Sequence, residues 1–221
     1  MAIWDIIGPV MIGPSSSHTA GAARLGRMVR ACWGGEIRKI DIYLRSSFAT
    51  TGAGHGTDRA LLAGLLGRAP DGPAIRDAYK LAKKAGLEFR FFDEDIDGAH
   101  PNSARFIVYG EGGRRLEAAG SSVGGGAVCL EELNGFKVNV SGTLPAIIIL
   151  NHDVKGVVSA VASYLFERGI NIATMTIRRA SRGGLATMVL ELDEAGAPPA
   201  SSDIASVDAA IVEVITLPAE G

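Results

Sequence analysis

Ser15-Ser16-Ser17-His18-Thr19 places four hydroxyls and an imidazole in five consecutive positions. A helical segment over residues 20–33 follows at once and is stopped by Gly34-Gly35, so the serines stand at its entry. Hydroxyls and free backbone N–H groups at the positive end of a helix form a receptor for an anion, either a carboxylate or a phosphate. A plain N-cap with spare serines is the alternative. A second motif, Gly52-Ala53-Gly54-His55-Gly56-Thr57-Asp58, follows a strand over 41–44 and a polar stretch over 46–51. It leads into an apolar helix over 59–66 that Thr57 or Asp58 is expected to cap. Gly54 and Gly56 leave the backbone around His55 free to approach a ligand. A histidine framed by glycines has little packing of its own, which suits a reactive position better than a core one. The glycine spacing is not that of a dinucleotide fingerprint.

Two further motifs are weaker alone. His100-Pro101-Asn102-Ser103 reads as a turn after the acidic run Asp93-Glu94-Asp95, itself expected to be a solvated loop. Ser121-Ser122-Val123-Gly124-Gly125-Gly126 lies between two strand-like runs. The two cysteines, Cys32 and Cys129, are too far apart for a local metal or redox motif. A four-cysteine zinc site or a self-contained iron–sulfur cluster is therefore excluded for this chain alone, and no metal site is expected in it.

These motifs need a scaffold, and composition bounds it. The chain has 221 residues, 47% hydrophobic and 21% charged, which excludes a disordered polypeptide. A formal charge of −2 argues against a nucleic-acid partner held by electrostatics. No apolar run is long enough for a bilayer, and the N-terminus lacks a secretory pattern, so a cytoplasmic location is expected. The charge is uneven, +2 over residues 1–143 and −4 over 144–221. Turn chemistry at Ser141-Gly142-Thr143-Leu144-Pro145 marks a domain boundary between 143 and 144.

The second region has a clear pattern. The aliphatic run 146–150 suits a buried strand, and 157–168 has helical periodicity with Val158, Val161, Ala162 and Leu165 on one face. Gly169 stops that helix. Strands over 170–178 and 186–193 flank the hairpin signal Ser181-Arg182-Gly183-Gly184. A helix over 202–210 and a strand over 211–217 complete βαββαβ, the ferredoxin-like order. The fold class is thus α+β, with a ferredoxin-like second domain.

That second region resembles an ACT domain, with Asn171-Ile172-Ala173 before the second strand and Lys155 where the Asp-x-Pro-Gly loop has proline. The resemblance implies pairing of two copies through their sheets, and an effector site at Asn151, Asp153 and Gly156. The four N-terminal motifs, in this order, resemble the beta chain of bacterial iron–sulfur-dependent L-serine dehydratase. That resemblance implies deamination of L-serine to pyruvate and ammonia by a [4Fe–4S] cluster whose cysteines belong to an alpha chain. This polypeptide would then be the beta chain, inert alone. Ser15, Ser16, Ser17 and Thr19 would hold the substrate carboxylate, with Gly54 and Asn102 in the same binding set. His55 is the choice for the base that takes the Cα proton, with His18 or His100 as alternatives or as orienting groups. A related domain in some phosphoglycerate dehydrogenases is a regulatory anion-binding module, and a purely regulatory role is the competing reading.

Overall fold

A computed structural model describes residues 15–179, 181–193 and 196–220. Gly13 and Pro14, which directly precede the serine motif, therefore lie outside the described residues. The chain divides into two compact units, one ending at Gly135 and the other opening at Phe136. The division falls at the Asn134-Gly135 turn, where both residues take positive φ, ahead of the Ser141–Pro145 turn.

In the first unit, α1 (Ala22–Trp33) buries Leu25, Met28, Val29 and Cys32, a single stripe at helical spacing. It ends at Gly34 in the left-handed conformation. Next come β1 (Lys39–Arg45), α2 (Ser47–His55), α3 (Thr57–Leu65), α4 (Ala78–Lys84) and β2 (Glu88–Glu94). The unit closes with β3 (Ser103–Tyr109), β4 (Arg115–Gly124) and β5 (Ala127–Leu133). The strand order is β2-β1-β3-β4-β5, with β1 and β2 parallel and the other neighbours antiparallel. Ile40, Ile42, Phe106 and Val108 alternate along β1 and β3 as fully buried positions.

Helix α1 meets α3 at glycines. A Cβ on Gly26 would lie 2.5 Å from the Leu61 carbonyl oxygen, and one on Gly64 would lie 2.0 Å from that of Ala23. The two backbones thus pack closer than any side chain permits. That contact fixes α3 against the helix that carries the serine motif.

The intervening positions of the sheet carry paired charges. Asp41 accepts two hydrogen bonds from Arg90, both 2.7 Å, and one from the Tyr109 hydroxyl at 3.0 Å. The acidic run is not a solvated loop as expected: Asp93 and Glu94 complete β2, and Glu94 accepts from both Arg45 and Arg105. Register explains the difference, because β2 places Glu94 opposite Arg45.

The second unit opens with β6 (Phe136–Val140) and continues through β7 (Ala146–His152), α5 (Val157–Glu167), β8 (Ile172–Arg179), β9 (Leu185–Leu192), α6 (Ser201–Ala205) and β10 (Ile211–Leu217). From β7 onward the order is βαββαβ, with an antiparallel sheet β10-β7-β9-β8, which is the ferredoxin-like topology. Its core joins Ile147 and Ile149 of β7, Met188, Leu190 and Leu192 of β9, Val157, Val161 and Leu165 of α5, and Ile204. The buried face of α5 is therefore Val157-Val161-Leu165, and Val158, expected inside, is 39% exposed. Helix α6 stops at Ala205, short of the expected 210, because the Asp208 carboxylate accepts from the Ala210 N–H at 2.8 Å and turns the chain toward β10.

Candidate active site

The serine motif does not merely cap a helix that begins at residue 20. Ser16–Gly21 forms a π-helical turn that runs directly into α1. Such turns are rare and widen the helix by one residue, and they are frequent at functional sites. Ser15 is its cap, and its Oγ accepts the His18 N–H at 3.3 Å. Ser15, Ser16 and Ser17 are half-buried, whereas Thr19 is fully buried and its hydroxyl donates to the His55 carbonyl at 3.4 Å. Thr19 thus ties the first motif to the second instead of facing outward with the serines.

His18 is enclosed by hydroxyls. Its Nδ1 lies 3.2 Å from Ser15 Oγ and 3.3 Å from Ser17 Oγ. Its Nε2 lies 3.1 Å from Ser47 Oγ and 3.0 Å from Thr51 Oγ1. The Phe48 ring meets the imidazole edge-on at 5.3 Å. Burial, and then the neighbouring His55, hold its pKa below the ordinary histidine value, so the ring is neutral near pH 7.

His55 is the last residue of α2, not part of a loop. The Gly52–His55 segment is helical, and the expected capping by Thr57 or Asp58 does not occur. Gly56, at φ 71°, closes α2 and opens α3, while Asp58 accepts from the Tyr79 hydroxyl at 2.6 Å. The His55 ring is half-exposed, its Nδ1 is 3.1 Å from the Thr51 carbonyl oxygen, and its centroid is 4.9 Å from that of His18. A carbonyl only accepts, so in the neutral ring Nδ1 carries the proton and Nε2 keeps its lone pair. Gly54 is exposed, with nothing within 4 Å of where a Cβ would stand.

The remaining motifs reach the same place through the backbone. The Phe48 N–H donates to the Pro101 carbonyl at 3.3 Å, and the Ser122 N–H donates to the Asn102 carbonyl at 2.8 Å. His100 Nδ1 accepts the Asn102 N–H at 3.1 Å, which leaves a proton on its Nε2 when the ring is neutral. A Cβ on Gly21 would fall 2.0 Å from Ser122 Oγ. The serine turn, α2, the His100 turn and the end of β4 therefore form one locus.

Sequence reasoning passed over Ser47 and Thr51 as members of a polar stretch. Their spacing held the signal, because Ser47, Thr51 and His55 stand four residues apart and share one helical face. Such hydroxyls can orient a carboxylate, and an unprotonated imidazole nitrogen beside them can accept a proton from carbon. Among the described residues no three His, Cys, Asp or Glu side chains cluster as a metal site. Cys32 is buried on α1 and Cys129 stands on β5, so the donor set of these residues does not fit an iron–sulfur cluster. No helix of the described residues is long and apolar enough to cross a membrane.

In the second unit, Asp153 is already engaged. It accepts from the Gly183 N–H at 3.1 Å and from Arg179 at 3.3 Å. Asn151 is buried and its Nδ2 donates to the His152 carbonyl, while Gly156, at φ 101°, caps α5.

Comparison with known proteins gives a consistent result. A family described as serine dehydratase beta chain matches residues 3–88, and the ACT domain matches residues 146–209. The chain is 44% identical over 193 residues to the probable L-serine dehydratase beta chain of Bacillus subtilis, covering 87% of each protein. It is 35% identical to the L-serine dehydratase beta chain of Peptoniphilus asaccharolyticus, covering 86% of each. A D-3-phosphoglycerate dehydrogenase of Bacillus subtilis is 26% identical over 199 residues, which span 89% of this chain and 38% of that protein.

Proposed function

This chain belongs to the serine dehydratase beta-chain family, and from that premise we propose that it supplies substrate-holding hydroxyls and the proton-accepting base to an active site completed by an alpha chain. The observation that carries the reading is the pairing of His18 and His55, 4.9 Å apart, within a ring of serine and threonine hydroxyls. The [4Fe–4S] cluster is assigned to the alpha chain.

The hydroxyls of Ser15, Ser16 and Ser17 around His18 hold the carboxylate of L-serine, and those not donating to the imidazole donate to it. His55 takes the Cα proton on Nε2. Among the three candidate histidines, His55 alone combines a half-exposed ring with a partner that leaves Nε2 unprotonated. His100 has the opposite tautomer, so its Nε2–H orients substrate instead of removing a proton. Loss of the β-hydroxyl after Cα deprotonation gives aminoacrylate, which becomes pyruvate and ammonia in water. Without its partner the chain is inactive, and the ACT domain pairs two copies.

The deciding experiment is His55→Ala co-expressed with the alpha chain under anaerobic conditions and assayed for pyruvate. The complex forms and turnover falls by roughly 10²-fold or more, the contribution expected of a positioned base. Turnover above a tenth of wild type refutes the assignment. The resemblance to a phosphoglycerate dehydrogenase favours a second, regulatory reading. Ser17→Ala separates the two: a substrate contact lowers kcat/KM, and an effector contact changes cooperativity with the maximal rate retained.

A further inference from the structure

Thr51 hydrogen-bonds both imidazoles, and it does so with different atoms. Its hydroxyl donates to the Ser47 carbonyl at 2.7 Å, the short i to i−4 bond of a helical threonine. With that hydrogen committed, Thr51 Oγ1 can only accept from His18 Nε2, 3.0 Å away. An unprotonated Nε2 could accept from Ser47 but would set its lone pair against that of Thr51, the nearer oxygen. A protonated Nε2 shares its hydrogen between Thr51 and Ser47, the latter at 3.1 Å. The carbonyl of the same residue takes the proton of His55 Nδ1 at 3.1 Å.

We infer that Thr51 is a positioning residue that fixes the two imidazoles in opposite tautomers, His18 protonated on Nε2 and His55 on Nδ1. The consequence at His18 is an accepting Nδ1. That nitrogen takes a hydrogen from Ser15 or Ser17, so one of the two hydroxyls is committed to the ring and the other is left to donate elsewhere. The consequence at His55 is a free lone pair on Nε2. One side chain and its own carbonyl thereby order both the anion-facing hydroxyls and the base. The tautomer assignment stands on geometry alone, while its catalytic consequence rests on the function proposed above.

The test uses the full chain labelled with 15N-histidine, and long-range 15N–1H correlation spectra in which His18 and His55 are assigned by loss of signal in His18→Gln and His55→Gln. In wild type the two rings show opposite patterns. Thr51→Ser keeps both. Thr51→Val removes the hydroxyl but leaves the carbonyl, so His18 loses its single tautomer and His55 keeps its own. Matching tautomers in wild type, or an unchanged His18 in Thr51→Val, overturns the inference. If Thr51→Val does not fold, the wild-type spectrum decides alone. In the complex with the alpha chain, Thr51→Val lowers kcat/KM by about tenfold to a hundredfold, the scale of misplacing reacting groups, and Thr51→Ser restores it. An unchanged kcat/KM in Thr51→Val refutes the positioning role. Should His55→Ala retain turnover while the spectra come out as stated, the proposed function falls and the tautomer assignment stands.

Discussion

Replacing Gly21 with alanine tests whether the serine turn is held by contact with β4. Gly21 has φ −63° and ψ −41°, ordinary right-handed helical angles that alanine adopts freely. On backbone grounds alone the change would stabilise the protein by about 0.4–1 kcal/mol. The contact reverses the sign. The new Cβ would lie 2.0 Å from Ser122 Oγ and 2.8 Å from Ser122 Cβ, and rotating the hydroxyl relieves only the first. Ser122 is fully buried and its backbone is bonded to Asn102, so the serine turn has to move. Overpacking of this kind costs roughly 1–3 kcal/mol, which for a chain of this length lowers Tm by about 2–4 °C per kcal/mol. Urea and thermal unfolding of Gly21→Ala, Ser122→Gly and the double variant form the assay. Because Ser122→Gly removes both clashing atoms, the double variant should recover about 1–3 kcal/mol relative to the sum of the singles. A Gly21→Ala variant as stable as wild type, or strict additivity, refutes the claim that this contact positions the site.

Two other outcomes follow from charge. Burial and the adjacent His55 lower the pKa of His18 in the native state, so the unfolded chain binds the proton more readily. Stability from this group is complete above about 6.5, the ordinary value, and is lost as pH falls from there toward the lowered native value. Removing one of the two causes in His55→Ala moves the His18 titration upward, as read by NMR, and no upward shift would count against the coupling. Glu94→Gln leaves Arg45, 11% exposed, and Arg105 without their shared carboxylate. The loss should be about 1–3 kcal/mol in urea unfolding, less than for a fully buried pair because the carboxylate keeps some water. A change under about 0.5 kcal/mol would class the network with ordinary surface pairs.

The parts legible from sequence are those where pattern and packing agree. Leu25, Met28, Val29 and Cys32 mark α1, and the strand and helix runs of the second unit announce the ferredoxin-like order before any coordinates. Helix α2 is not legible in this way. Its nine residues include two glycines, one serine and two threonines, all weak helix formers. Tertiary anchoring overrides propensity there: the Phe48 side chain is fully buried and its N–H is bonded to Pro101. The meeting of Gly21 with Ser122 is likewise closed to sequence reading. It depends on the register of β4, which is interrupted between Ala119 and Gly120 and again between Ser122 and Gly124.

The glycines divide by the space around them, and that division is the physical logic of the site. Gly21, Gly26, Gly64 and Gly120 admit no Cβ without a contact under 3.0 Å. They stand at the junctions of the serine turn with β4, of α1 with α3, and of β4 with β5 and Leu25. Gly54, Gly56, Gly124 and Gly125, by contrast, have open space where a Cβ would be. The open positions thus fall within the glycine clusters, although at Gly52, buried in the same cluster, a Cβ would lie 3.3 Å from Thr57, and the closest backbone approaches fall at isolated glycines inside regular elements. The Gly-His-Gly motif, expected to let the backbone around His55 approach a ligand, is the end of one helix and the turn into the next, with its imidazole half-exposed. The tight glycines hold the serine turn and α1 against β4 and α3, and the open glycines leave the His55 face uncovered. Substitutions in the first class should therefore lower the unfolding free energy, whereas Gly54→Ala, at a helical position with open space, should raise it by about 0.4–1 kcal/mol and impair only the protein with a ligand or a second polypeptide present.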